Sequence, residues 1–298
     1  MAVVINTNVD SLKIQSMLNS STTNLSNSMQ RMSSGLQILS AKDDAAGTVI
    51  SAKMQVQLNG NQIAQKNVQN ANALLSTAEG NLDVIQDNVS RIRDLTLQAK
   101  NGTYSNEEIK AMQDEVSERM AEIDRINNSA EYSSLKLFGG DLGTNGATFQ
   151  VGADAGIDNT IKAEGALFKT VQFSALTGAG NFNLSKISEI EYGKNGKTAP
   201  TDVEGDTAFD KAIKALDEAI NDITNRKSII GSAGNRMDSA LNTLTTQFEN
   251  LSSAKSIITD ADIAAEASNF TQQQILQQVS TSLLAQANQA PAIALSLV

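Results

Sequence analysis

Two adjacent acids, Asp43 and Asp44, lie inside the run GLQILSAKDDAAG (35–47), and paired carboxylates can carry general acid–base chemistry. The partners such chemistry needs are missing. The 298-residue chain has no His and no Cys, which removes nucleophile–base pairs, thiol redox chemistry and the usual zinc sites. Carboxylates and lysines are the only catalytic groups left. Adjacent side chains on a helix or turn also point apart, so the two acids read as part of a joint between rods and not as a dyad. Neither GxxxxGK[ST] nor GxGxxG occurs at a strand-to-helix turn, so Gly80 and Gly102 cradle no phosphate. Arg91, Asp94, Leu95 and Gln98 form a stripe at i, i+3, i+4 and i+7; on spacing alone this is an intrahelical ion pair with a flanking leucine, and Glu115 with Arg119 is a similar i, i+4 pair. An enzyme is the remote reading, and no cofactor or metal is expected.

Other classes fall to composition. The formal charge is −10 and aromatic residues make up 4%, which provides neither the basic footprint nor the stacking platforms of a nucleic-acid binder. No apolar run approaches the roughly 18 residues of a membrane span. The opening MAVVINTNVDSLKIQSM lacks a basic stretch followed by an apolar core, so no general secretory signal is expected.

What would position these residues is a set of long rods. From Phe209 to Ile258 apolar residues recur at alternating spacings of four and three, with Lys227, Gly234 and Lys255 the exceptions. This is a coiled-coil seam on a helix about 75 Å long, and it implies an elongated molecule. The two lysines should lay their stems along the groove with ammonium groups in water, and Gly231 and Gly234 mark either a tightly apposed point or a local break. A second rod starts at Ile50 and Met54, continues through Ala64, Val68, Ala71, Leu75, Ala78, Leu82, Ile85, Val89, Ile92, Thr96 and Ala99, and ends at Asn101-Gly102. Ser105 or Asn106 then caps a shorter helix with a stripe of Ile109, Met112, Val116, Met120 and Ile123. Twelve of the nineteen glycines fall between Gly139 and Gly205, where alternating runs such as 147–151 and 168–173 predict small hairpins and 183–205 an exposed loop.

The ends differ from the rest. Leu18, Thr22, Leu25, Met29, Met32, Leu36 and Leu39 repeat the four-three spacing, but among Ser, Asn and Thr, which hold a helix poorly, so the segment should order only with a partner. Near the other end Ile275, Leu276, Val279, Leu283 and Leu284 alternate with glutamines, and no charge occurs after residue 266. Only Asp10, Lys13 and Arg31 are charged before residue 42. Ends stripped of charge suit burial against copies of the same chain.

The runs INTN (5–8), GLQILSAKDDAAG (35–47), LLSTAEGNLDVIQDNVSRIRDLTLQA (74–99), EIDRI (122–126), FQVGADAG (149–156), ITDADIAAEASNFTQQQILQQ (258–278) and SLLAQANQAP (282–291) resemble, in order, bacterial flagellin, the subunit of the flagellar filament. Gln37 stands where that family commonly has Arg. The resemblance implies a secreted structural protein of the extracellular flagellum, exported by the flagellum's own type III apparatus and lacking large outer domains. Its expected partners are itself, an export chaperone on the C-terminal segment, the filament cap and hook–filament junction proteins, and the flagellin-sensing Toll-like receptor of animals. The receptor motif carries over to Arg91, Leu95 and Glu115.

The expectation is therefore a mainly α, antiparallel coiled-coil bundle with small β-hairpins in mid-chain. Residues 1–42 with 258–298 would be inner terminal helices, unstructured in the monomer, and 43–182 with 206–257 a rod domain. The function is that of a self-assembling motility filament. The rivals are a hook–filament junction protein and a coiled-coil adaptor that never polymerises.

Overall fold

The computed structural model describes residues 8–101, 103–171 and 208–295. In chain order these form α1 (Val9–Ser34), α2 (Ala45–Ala99), α3 (Asn106–Ser129), β1 (Glu131–Tyr132), β2 (Leu135–Lys136), α4 (Gly140–Asn145), β3 (Ala147–Gln150), β4 (Thr160–Ala163), α5 (Ala208–Thr259) and α6 (Ile263–Leu295). The expected mainly helical fold with two small antiparallel hairpins is present. The chain divides into two compact units, Gly60–Thr246 and Met1–Asn59 with Gln247–Val298. The expected loop 183–205 and the glycine of the Asn101-Gly102 cap lie outside the described residues.

In the unit from 60 to 246, every position of the four-three seam from Ala64 to Ala99 is buried. Thr96, its one polar member, donates its hydroxyl to the Ile92 carbonyl at 2.7 Å, so its burial leaves no orphan group. From α3 come Ile109, Val116 and Ile123, and from α5 Phe209, Leu216, Ile223, Ile230, Met237 and Leu244. Helix α3 starts with a reciprocal cap: Ser105 Oγ accepts from Glu108 N–H, while Glu108 accepts from Ser105 N–H at 2.7 Å. That bond holds the Glu108 carboxyl below its ordinary range.

Polar pairs set the alignment of α2 against α5. Lys100 meets Asp210 at 2.5 Å, Arg93 meets Asp217 at 2.5 Å, Asp83 pairs with Lys227, and Asn72 donates to Asp238 at 2.9 Å. In each pair the two residue numbers add to 310. The lysines on the α5 seam therefore behave differently from expectation. Lys227 is held by Asp83 and donates to Gln86 at 3.2 Å, and in the other unit Lys255 donates to Gln55 at 2.6 Å. A facing helix offers these ammonium groups fixed acceptors, which replace water.

Past α3 the chain is fastened back onto the helices. Leu137, Phe138, Leu167, Phe168 and Val171 are buried, and the buried Asn127 side chain both donates to the Val171 carbonyl (3.1 Å) and accepts from its N–H (3.3 Å). Arg226 donates to the Lys169 carbonyl at 2.5 Å. The described part of 168–173 is thus not a strand: Phe168 ends a 3-10 turn, and Lys169 and Val171 give backbone groups to the side chains of Arg226 and Asn127. The run from 147 to 151 does supply β3, paired with β4 in the register Ala147↔Ala163 to Gln150↔Thr160. The loop of this hairpin lies against α2 at Gly60, where a Cβ would come within 2.8 Å of Ala153. The β1–β2 hairpin escaped sequence reading because its turn, Ser133-Ser134, carries positive φ on two serines in place of the usual Asn-Gly.

Helix α5 runs unbroken through Gly231 and Gly234, and a Cβ at either would meet nothing within 4 Å. Neither proposed role, tight apposition or break, applies within the chain. Gly231→Ala and Gly234→Ala are each expected to stabilise the monomer by about 1 kcal/mol, since alanine removes unfolded-state freedom without a clash; thermal unfolding of the two variants checks this.

Candidate assembly and recognition surfaces

In the unit holding both ends, α1 begins at Asn8, whose side chain accepts from Ser11 N–H at 3.0 Å, and it pairs antiparallel with α6. Polar side chains reach across the contact. Ser21 Oγ donates to the Gln273 carbonyl (2.8 Å), Asn8 Nδ2 donates to the Ala287 carbonyl (2.8 Å), and Ser11 Oγ donates to Asn288 (2.9 Å). The less exposed positions of α1 run Ile14, Leu18, Ser21, Leu25, Ser28 and Met32; those of α6 run Phe270, Gln273, Gln277, Ser280, Leu284 and Ala287. Both lines keep the four-three spacing.

The seam residues expected from the sequence accordingly divide. Leu18, Leu25, Met32 and Leu284 are partly buried in the unit. Met29 is 56% exposed, Leu36 and Leu39 are exposed in the joint beyond α1, and Ile275, Leu276, Val279 and Leu283 remain 44–55% exposed. Small serines explain the shift: helix separation follows the side chains at the contact, and Ser21 and Ser28 admit the facing helix closely where Thr22 and Met29 would hold it off. The signal was legible as the same spacing moved by one residue, but it was written in hydroxyls. A row of aliphatic side chains is thereby left on the outside of a pair of helices that needs none of them to pair.

At the joint between α1 and α2, the two acids act as caps. Asp43 accepts from Ser40 N–H (2.9 Å), Ser40 Oγ (3.0 Å) and Leu39 N–H (3.2 Å), and these bonds, the Ser40 hydroxyl's foremost, hold its carboxyl below the ordinary range. Asp44 accepts from Ala46 N–H (3.0 Å) at the start of α2. Both carboxylates are committed to loop and helix ends, which leaves no acid–base pair. Among the described residues, no group of three potential metal ligands occurs.

The stripe on α2 is rearranged by α3. Arg91 makes a bidentate contact with Glu115, Nε to Oε1 at 2.8 Å and Nη2 to Oε2 at 3.1 Å, in place of the intrahelical pair with Asp94. Glu115 also accepts from Arg119 Nε at 3.0 Å, as the i, i+4 spacing predicted, and Arg119 reaches Asn88 at 3.1 Å. Leu95 is only 2% exposed and belongs to the core, not to the surface beside it. The helix partner is what the spacing of one segment could not reveal. Hydrogen bonds from Arg91 and then Arg119 hold the Glu115 carboxyl below its usual range, and the bond to Glu115 raises Arg91. A depressed carboxyl contributes stability above its unfolded-state value and loses it as pH falls through the folded one. Glu115→Gln is therefore expected to lower the melting temperature slightly at pH 7 and not at all at pH 2, as thermal scans at the two pH values would show.

Residues 5–142 match the family model described as the bacterial flagellin N-terminal helical region, and 213–298 match the bacterial flagellin C-terminal helical region. The chain is 35% identical over 304 residues to a flagellin of Bacillus subtilis (strain 168), covering 99% of each. It is 35% identical over 355 residues to a flagellin of Serratia marcescens, covering 100% of each. It is also 32% identical over 289 residues to a flagellar filament 30.7 kDa core protein of Treponema maltophilum, covering 96% of each. Among solved structures, a putative flagellar hook-associated protein from Vibrio parahaemolyticus shares the fold, with a TM-score of 0.56 and 18% identity over 72% of this chain and 99% of that one.

Proposed function

Since the chain belongs to the bacterial flagellin family, a family of structural subunits of the flagellar filament and not of enzymes, we propose that it forms an extracellular homopolymer through the outward aliphatic residues of its paired ends. The single observation that supports this is the exposed row Ile275, Leu276, Val279 and Leu283, together with the exposed Met29, Leu36 and Leu39 near the other end of the chain. Aliphatic side chains half in water are unfavourable in a monomer, and stacking copies of the chain removes them from it. The ends take their final order on assembly, and before it the C-terminal segment is covered by an export chaperone. The filament cap and the hook–filament junction proteins are its other partners in the flagellum.

The experiment is limited proteolysis that removes residues 1–40 and 260–298, followed by electron microscopy of seeded solutions. The full chain should extend seeds into long filaments and the clipped chain should stay folded without extending them. A junction protein would cap seeds without lengthening them, and a soluble adaptor would ignore them.

A second reading concerns the Arg91–Glu115 pair, which is partly exposed on neighbouring helices and fits recognition by the flagellin-sensing Toll-like receptor. Leu95 would act there from below, by fixing the backbone of α2 under Arg91. An Arg91→Ala, Glu115→Ala variant should lose most of its signalling in a receptor reporter assay with its melting little changed; full signalling would remove this reading.

A further inference from the structure

Among the described residues no large aliphatic side chain is more exposed than Ile157, at 85%, in the loop at the tip of the β3–β4 hairpin. That loop is nonetheless held in place. Gln150 Nε2 donates to the Gly152 and Asp154 carbonyls, both at 2.9 Å, Val151 N–H donates to the Asn159 carbonyl (2.8 Å), and Thr160 Oγ1 donates to the carbonyl of Ile157 itself (2.9 Å). Asn159 also packs on the bare backbone of Gly152, where a Cβ would overlap its side-chain amide. A lone apolar residue on a loose loop needs no explanation, but bracing turns this one into a fixed knob. Asp154 and Asp158, both exposed, flank it.

A hollow of about 360 Å³ lies at the other end of the same hairpin. Gly146, just before β3, lines it together with Leu142 and Asn145 of α4 and with Ser134, Leu135 and Lys136 of the β1–β2 hairpin. Leu135 is 48% exposed there, and Lys136 is the one charged lining residue among those described. The walls are fixed by Gly139 N–H, which donates to the Phe168 carbonyl (2.7 Å), and by Gly146 N–H, which donates to the Leu142 carbonyl (2.9 Å). The rim is built at a cost, since Ser133 and Ser134 both take positive φ. Lys136, despite Glu131 across the strand pair, and the two tip aspartates take part in no ion pair among the described residues. The four residues of β3, about 13 Å of extended chain, separate hollow from tip loop, so a chain does not seat its own knob.

We propose that Ile157 of one copy seats in the Leu135–Leu142 hollow of the next, with Asp154 and Asp158 set against that copy's Lys136. A second copy fits because knob and hollow are complementary in charge and stand at opposite ends of one braced hairpin. Such a contact is head-to-tail: every chain added fills one site and offers another, which is what an open polymer requires. The proposal deepens the homopolymer reading and rests on it, but the contact itself uses only residues of the unit from 60 to 246.

The chain has no Cys, so Ile157→Cys with Leu135→Cys gives a clean crosslink test. Polymer of the double variant, collected by sedimentation and oxidised, should run on a non-reducing gel as a ladder of linear oligomers, and an equal mixture of the two single variants should give dimers alone. Sedimented polymer without a ladder overturns the contact, and so does a disulfide closed within one chain. Ile157→Gln should raise the critical concentration for seeded growth about thirtyfold, with melting unchanged because the side chain is exposed in the monomer. An unchanged critical concentration likewise overturns the contact. If the parent chain never extends seeds, the homopolymer reading falls, and oxidation of the concentrated double variant in solution decides the contact alone: linear oligomers uphold it, and monomer only removes it.

Discussion

A chain carrying Ile275→Gln, Leu276→Gln, Val279→Gln and Leu283→Gln is expected to remain a helical monomer and to lose seeded elongation almost completely. Glutamine forms helices nearly as well as leucine, so α6 itself is not weakened. The four side chains are 44–55% exposed, and the substitutions leave untouched both the hydrogen bonds of Ser21, Asn8 and Ser11 across the pair and the partly buried Leu18, Leu25, Met32 and Leu284. What changes is the apolar area available to a neighbouring copy. Half-exposed aliphatic side chains stand to gain about 1 kcal/mol each on full burial, or about 4 kcal/mol for the set. At tenfold per 1.4 kcal/mol, the critical concentration for growth should rise by about three orders of magnitude. Sedimentation of seeded samples over a concentration series measures it. An unchanged critical concentration would show that these residues contact nothing in the polymer.

Leu95→Ala is expected to destabilise the unit from 60 to 246 by about 2–5 kcal/mol, as for other large-to-small changes in packed cores. Leu95 lies between Ile92 and Ala99 on the buried side of α2, near enough to full burial that the cavity has no route to solvent for relaxation. Denaturant unfolding should show an earlier midpoint with an unchanged slope. The result bears on the receptor reading, because a loss of signalling in a Leu95 variant would mix lost structure with lost contact. Arg91 and Glu115 are the residues on which recognition can be tested without that confusion, since both reach the surface.

The long rods were legible because burial in a coiled coil writes itself as spacing. Every four-three position from Ala64 to Ala99 is in the core, and so are Val116 and Ile123 of α3. The ends were misread by one residue at Thr22 and Met29, because the facing helices there meet through serine and glutamine and apolar count is the wrong measure of such a contact. The Arg91–Glu115 bond was invisible for another reason: 24 positions separate the partners, and only the turn between α2 and α3 brings them together. Leu95 was placed beside the seam because a two-helix template has one buried line, whereas a helix packed on both α3 and α5 has a wider one. The anchoring of Lys169 and Val171 by Arg226 and Asn127 follows no periodic rule and could not be read at all.

The ladder between α2 and α5 works as a vernier. Moved by one heptad in one direction, it would keep Arg93 beside Asp210 but set Asp83 against Ile220 and Asn72 against Gly231; moved the other way, it would keep Lys100 beside Asp217 but leave Arg93 facing Thr224. The apolar seam repeats and tolerates either slip, while the charges accept a single offset. Copies that fold separately therefore come out interchangeable, each offering the same side chains at the same height, so that a filament built of many copies would accumulate no drift.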